Sequence, residues 1–290
     1  MHVAIIQVPY HLGRPHTGVG RGPGRIVLGG LDQALTGPGV ETSATSAERI
    51  DMEGEELAMV ARISARTAAE VKGAVAAGRF PVVLAGDCNA AVGVLGGLAQ
   101  AGCNAPGVLW FDAHGDLNTP ETSTSGFLDG MALAAATGRC HDVLRTAAGL
   151  EPIPESRVLL AAVRDLDPPE ASYLAASPMR SVHASAMRHG GATAVAPPLE
   201  TLRAQLQDLY VHLDLDALDP SEAPAAGYRV PDGISADTLA TVLRAAATRF
   251  RVRALTVTNY DPTLDDQDRT LGVVMRMVHV VVRATAAWRG

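Results

Sequence analysis

Short apolar runs alternate along this chain with longer alanine-rich stretches of helical periodicity, and several of the apolar runs end abruptly in clustered charged and amide groups. That order of elements is the one a parallel sheet covered by helices on both faces requires. Strands are expected over residues 3–8, 80–85, 107–111, 157–162, 209–215 and 253–257. Helices are expected over 55–77, 90–101, 129–137, 235–249 and 264–287. Two segments break the rhythm. Residues 37–49 read as a Ser/Thr/Gly-rich surface loop, and 188–199 carry Gly190, Gly191, Pro197 and Pro198 as punctuation. Neither has the composition of a domain linker. With 290 residues, 47% of them hydrophobic, the chain is expected to form one α/β domain spanning residues 1–290.

The polar groups that close the apolar runs are Gly86-Asp87-Cys88-Asn89, Asp112-Ala113-His114-Gly115-Asp116, Arg164-Asp165-Leu166-Asp167, Asp214-Leu215-Asp216 and Asn259-Tyr260-Asp261. Open parallel sheets bind ligands at the carboxyl ends of their strands, so groups far apart in sequence are expected to share one cleft. In an extended segment, residues two apart project to the same side, which would align Asp112, His114 and Asp116, and likewise Asp214 and Asp216. Carboxylates crowded in this way repel one another unless cations lie between them. Carboxylate with imidazole suits a hard or borderline divalent ion, and Mn²⁺ fits better than Zn²⁺, which recruits more His or Cys.

Each motif also has a plainer reading. A lone Asp-x-Asp is most often a solvated turn or a helix cap, whereas Asp-x-His-x-Asp directly after an apolar run is far more specific. Cys88 alone would more often be a small buried hydrophobe than a ligand. His183 and His189 fall in an expected loop and are assigned nothing. His212 alternates with Asp214 and Asp216 yet reads as an ordinary core histidine.

Charge narrows the range of partners. Lys and Arg number 24 against 31 Asp and Glu, a net charge of -7 with no basic run, which argues against nucleic acid and membrane surfaces as partners. The apolar stretch in the first ten residues is shorter than a membrane span and lacks a basic region before it, so it reads as a first strand rather than a signal peptide, and a cytoplasmic protein is expected. Cys88, Cys103 and Cys140 are an odd set without Cys-x-x-Cys spacing, which fits reduced thiols.

Taken together, these motifs resemble those of the ureohydrolase family of arginase, agmatinase and their relatives, over nearly the whole chain. Gly18-Val19-Gly20-Arg21-Gly22-Pro23 is similar to the family's N-terminal glycine-rich loop. Asp112-Ala113-His114-Gly115-Asp116 and Asp214-Leu215-Asp216-Ala217-Leu218-Asp219-Pro220 are similar to its two metal signatures. The resemblance implies a three-layer α/β/α fold with a mostly parallel central sheet, two Mn²⁺ ions and assembly into homo-oligomers, trimers or hexamers. It also implies metal roles: Asp112 and Asp214 bridging the ions, Asp116 binding one, and His114 with Asp216 binding the other.

The arginase branch is the nearer one. Asp116-Leu117-Asn118-Thr119-Pro120 and Ser123-Thr124-Ser125-Gly126 resemble the loop that holds the substrate α-carboxylate, with Asn118 and Ser125 in the contacting positions. Arg164-Asp165-Leu166-Asp167-Pro168 resembles the segment whose last Asp, here Asp167, lies near the α-amino group. Apart from the resemblance, residues 118–125 would equally serve as a Thr/Ser-rich surface turn.

Three positions depart from that pattern. Cys88 stands where the family has a metal-binding histidine; a thiol is softer and must lose a proton to bind, so the ion it shares with Asp116 is expected to be weakly held or absent. Asp129 takes the place of the histidine that shuttles protons, and serves as acid and base only if its surroundings raise its pKa. Asn259 falls where a glutamate pairs with the guanidinium, so unmodified arginine loses an ionic partner and a less basic relative loses less. The Cys-for-His change resembles the Nω-hydroxy-L-arginine hydrolase of cycloserine biosynthesis, which makes hydroxyurea. Hydrolysis of Nω-hydroxy-L-arginine or a similar compound is therefore the expected activity. Three rivals stand beside it: a ureohydrolase acting on a different amidine, a deacetylase-like amidohydrolase on a related fold, and a non-catalytic descendant that binds a metal or an amino acid without turnover.

Overall fold

The computed structural model of the chain describes residues 1–47 and 50–288. Its strands, in chain order, are β1 (His2–Val8), the short pieces β2 (Tyr10–His11) and β3 (Arg14–Pro15), β4 (Glu41–Ser46), β5 (Arg79–Ala85), β6 (Gly107–Phe111), β7 (Val158–Val163), β8 (Arg180–His183), β9 (Asp208–Asp214) and β10 (Arg251–Thr258). Among the described residues, β2 and β3 make a small hairpin, and the other strands form one eight-stranded sheet in the order β4-β1-β5-β10-β9-β6-β7-β8. Every pairing within that sheet is parallel.

Successive strand residues enter opposite cores. Val82, Leu84, Leu109, Phe111, Val211, Leu213, Leu255 and Val257 face one side with the helices Ala236–Arg249 and Arg269–Ala287. Val83, Ala85, Val108, Trp110, Leu160 and Tyr210 face the other with Glu56–Ala76 and Ala90–Gln100. Burial of both faces is why the central strands read as unbroken apolar runs rather than alternating ones, and it makes the expected three layers.

The edges differ from expectation. Residues 37–49 were expected to form a loop, but Glu41–Ser46 pairs with β1 as an edge strand; positions 48 and 49 lie outside the described residues. Its sequence, ETSATS, is half exposed and so carries no apolar run, while its threonines still suit an extended backbone. β8 closes the opposite edge with a similarly polar RSVH, and His183 caps the next helix by accepting from Ser185 N at 3.1 Å. The punctuation at 188–199 is half right: the helices Ala184–Gly190 and Ala192–Arg203 meet at Gly191, but Pro197 and Pro198 lie inside the second helix. Burial of Val195, Leu199 and Leu202 outweighs the two missing backbone donors.

The last helix begins at Arg269 rather than 264 because the Asp265 carboxylate takes the backbone N–H groups of Thr270 and Leu271, at 3.1 and 2.9 Å. By length and composition alone it would cross a membrane. Here Leu271, Val274, Met277, Val278, Val281 and Val282 are buried in the core beside the sheet, which accounts for its apolar face.

The helices Glu56–Ala76 and Ala90–Gln100 cross closely. A Cβ on Gly97 would sit 2.6 Å from Ala68 O and 2.7 Å from Val71 Cβ, so backbone would have to move to admit it. Gly97→Ala is expected to destabilise the chain by about 2 kcal/mol, overpacking outweighing the roughly 1 kcal/mol that alanine gains in helix propensity. Urea denaturation checks this; a stabilised variant would show that the helices separate freely.

Candidate metal centre

Five adjacent central strands, β7, β6, β9, β10 and β5, deliver the polar groups to one end of the sheet. The delivery is not by strand alternation as expected. β6 stops at Phe111, Asp116 has φ 51°, and Leu215–Ala217 is a 3-10 turn. Carboxylates claim backbone donors instead: two bonds are local, Asp112 Oδ1 accepting from His114 N at 2.6 Å and Asp214 Oδ1 from Asp216 N at 2.8 Å, while Asp216 Oδ1 accepts across the site from Ala113 N at 2.9 Å. Such Asx-type bonds compete with the ladder and turn the chain, aiming the remaining oxygens inward.

Two ligand groups emerge, and they share Asp112. Donor atoms of Cys88, Asp112 and Asp116 lie within 4.8 Å of one another, as do those of Asp112, His114 and Asp216. Asp214 Oδ2 adjoins the first group, accepting from Cys88 Sγ at 3.1 Å. His114 Nδ1 lies 3.0 Å from Asp216 Oδ2 and 3.3 Å from Asp112 Oδ1. Asp129 is buried beside them, its Oδ1 accepting from Cys88 N at 2.7 Å.

The electrostatics are those of anions short of a counter-charge. Burial, then the neighbouring carboxylates Asp112 and Asp129, push Asp116 well above the usual carboxylate range. Burial with Asp214 and Asp112 does the same to Asp216, and burial with Asp87 and Asp214 to Asp129. Burial disfavours the His114 cation, yet its bonds to Asp112 and Asp216 prevail and push it up to about 12. The Cys88 thiol is raised by burial and by Asp214 and Asp116. Without a cation, then, this cluster is neutral only by holding protons. Asp116 Oδ2 is the decisive atom: it is buried and has no hydrogen-bond partner. An orphaned carboxylate oxygen among oxygen, nitrogen and sulfur donors fits divalent cations.

A cavity of about 560 Å³ opens over the cluster and is also lined by Asn118, Ser125, Asp167, Glu170, Tyr228 and Asn259. Asn118 Nδ2 donates to Asp167 Oδ2 at 2.9 Å, which joins the two positions expected at the amino-acid end. Ser125 lies on the exposed rim, its Oγ accepting from Phe127 N at 3.2 Å. Asn259 is differently occupied: Nδ2 donates to Asp214 Oδ1 at 3.0 Å and Asp216 Oδ2 at 3.2 Å, and Oδ1 accepts from Gly227 N at 3.1 Å. Its amide therefore braces the carboxylates.

Three residues outside the expected set support the site. Glu170 accepts from Leu117 N at 2.9 Å and Asp167 N at 3.1 Å, a capping arrangement already visible in the Asp-x-x-Glu spacing of 167–170. Trp110 Nε1 donates to Asp112 Oδ2 at 3.1 Å. Arg164 donates to the carbonyls of Asp216 and Val230, each at 2.7 Å, tying two loops together. Trp110 had no local signal in the sequence, and Arg164 was visible only as part of the polar group that closes its strand.

Residues 1–283 match the sequence model of the Arginase family. This chain belongs to the arginase family. The arginase of Bacillus caldovelox is 32% identical over 288 residues, covering 95% of this chain and 96% of that relative. The crystal structure of Bacillus cereus arginase superposes with a TM-score of 0.89 at 29% identity, covering 97% of this chain and 98% of that one. The formimidoylglutamase of Bacillus subtilis, 18% identical with a TM-score of 0.78 and coverage of 100% and 88%, shares the fold. Arginase-family proteins are hydrolases of guanidino C–N bonds.

In this arginase-family chain the Cys88 side of the cluster is expected to hold Mn²⁺ the less tightly, because a buried thiol must ionise beside carboxylates. Cys88→His is expected to tighten that site by about tenfold or more. Metal content after dialysis against graded chelator measures it, and unchanged retention would remove Cys88 from the ligand set.

Proposed function

We propose that this chain hydrolyses a C–N bond of a guanidino-type amino acid that is less basic than arginine, with Nω-hydroxy-L-arginine as the leading substrate, releasing an ornithine-like amine and a urea-type product. The observation that carries the choice is the Asn259 amide. It brings no negative charge, and both its ends are engaged with Asp214, Asp216 and Gly227. A full guanidinium entering here meets an amide at 259 where a carboxylate would pair with it, a loss that costs a weakly basic head less.

The residues that would hold two Mn²⁺ ions are Cys88, Asp112, His114, Asp116, Asp214 and Asp216. When bound, such a pair supplies a water acidic enough to attack at neutral pH and a positive field at the reacting carbon. Asn118, Ser125 and Asp167 orient the amino-acid end, placing the head over the carboxylates. Burial and the nearby Asp87 and Asp214 raise the Asp129 carboxyl, which favours its protonated form. Its Oδ1 is fixed by Cys88 N, which leaves Oδ2 to pass that proton to the departing amine. Closely similar relatives carry the name arginase, which makes L-arginine itself the competing substrate.

A panel of arginine, Nω-hydroxyarginine, agmatine, guanidinobutyrate and formimidoylglutamate, scored for released amine after Mn²⁺ loading, decides between them. Nω-hydroxyarginine is expected to lead arginine by about tenfold or more in kcat/KM; a lead for arginine would overturn the choice, and bound metal without any turnover would favour the binding-protein reading. Asp216→Ala is expected to lose metal and activity together, so an active, fully metallated variant contradicts its role. Asp129→Asn should lower kcat by about 10²-fold with metal retained, and unimpaired turnover would strike it from the mechanism.

A further inference from the structure

One wall of the cavity is aromatic, formed by Phe127 and Tyr228. Tyr228 meets Phe127 edge to face, with ring centroids 5.2 Å apart at 65°. The Tyr228 hydroxyl lies 3.0 Å from His11 Nε2, in the β2/β3 hairpin. That hairpin is seated on the acidic cluster, because Leu12 N donates to buried Asp87 Oδ2 at 2.7 Å. The backbone beneath Tyr228 is fixed as well. Gly227 N donates to both Asn259 O and Asn259 Oδ1 at 3.1 Å, and a Cβ on Gly227 would stand 2.4 Å from that Oδ1, so only glycine fits. The residue that removes the anionic partner therefore also sets the position of Tyr228.

Tyr228 keeps 36% of its surface open although three elements restrain it, and it lines the same cavity as the carboxylates. Burial, then Asp129, Asp87 and Asp214, push its phenol upward, so it is a neutral hydroxyl on the cavity wall, within the field of those carboxylates. A phenol paired with an imidazole both donates and accepts, which matches a substituent that is itself donor and acceptor. A bare guanidinium offers only donors and calls for a carboxylate.

We infer that Tyr228, presented by His11, is a specificity-determining residue that hydrogen-bonds a hydroxyl on the substrate's terminal nitrogen and so favours hydroxylated heads over unsubstituted guanidinium. The inference rests on the guanidino-hydrolase reading above.

Its test uses the Mn²⁺-loaded full chain and two variants, Tyr228→Phe, which keeps the ring, and His11→Gln, which keeps a hydrogen-bonding partner. Tyr228→Phe is expected to lower kcat/KM for Nω-hydroxyarginine by about tenfold while arginine changes by less than about twofold. His11→Gln should give a smaller loss in the same direction. Calorimetric Kd values for Nω-hydroxyarginine and for ornithine, which lacks the head, form the second readout; only the first should weaken, at unchanged metal content. Equal losses for both substrates, or weakened ornithine binding, would mark a structural role and overturn the inference, as would unchanged selectivity. If the wild type turns over neither compound, the hydrolase reading fails by itself, and the two Kd values still decide whether Tyr228 reads the head. A wild type that binds neither ligand overturns both.

Discussion

Five carboxylates, those of Asp112, Asp116, Asp129, Asp214 and Asp216, are buried at one end of a parallel sheet, and among the described residues no lysine or arginine lines the cavity above them. Burial penalises each anion and proximity penalises the set, so the cluster has two ways to persist: bind protons or bind cations. The proton solution leaves a mark in the free oxygen of Asp116 and in His114, whose one Nδ1 atom faces both Asp112 and Asp216. A cation satisfies both, and frees the imidazole to act as a neutral ligand. Stability and function meet here: the fold keeps a cluster that costs it free energy.

The surroundings hold that cluster in place. The indole of Trp110 stacks on His212, centroids 3.7 Å apart, and donates to Asp112. His212 is fully buried, pushed down to about 3 by that burial, and so stays neutral with Nε2 3.3 Å from Cys88 Sγ. It is the packed core histidine that the sequence suggested, yet it touches a candidate ligand. Arg164 binds carbonyls on both sides of the site, and Asn259 spans two candidate ligand carboxylates and the glycine that precedes Tyr228. Ligands and cavity wall are thus parts of one hydrogen-bonded unit.

What the sequence made legible follows from chemistry that is local. Central strands buried on both faces announce themselves as apolar runs, and Asp-x-His-x-Asp beside them is too costly to be incidental, so the sheet and the cluster were both readable. Edge strands were not: Glu41–Ser46 and Arg180–His183 gain their order from a neighbour's backbone on one side and need no apolar pattern. The geometry inside the motifs also differs from strand alternation, because β6 ends before Asp112, Asp116 takes a left-handed backbone and Asp216 lies in a 3-10 turn, yet the groups still converge. Tyr228 and His11 left no trace, since a contact over 217 positions has no local pattern. Asn259 was noticed as a lost charge, but its bracing of Asp214 and Asp216 required three-dimensional placement.

The central claim, that these donors exist to surround cations, is tested most directly by anomalous diffraction at the manganese edge from crystals grown with excess Mn²⁺. The account predicts anomalous density bounded by Asp112, His114, Asp116, Asp214 and Asp216, with Asp116 Oδ2 turned to an ion and the peak on the Cys88 side the weaker. Absence of anomalous density, with the carboxylates still paired to protons and to His114, would contradict it.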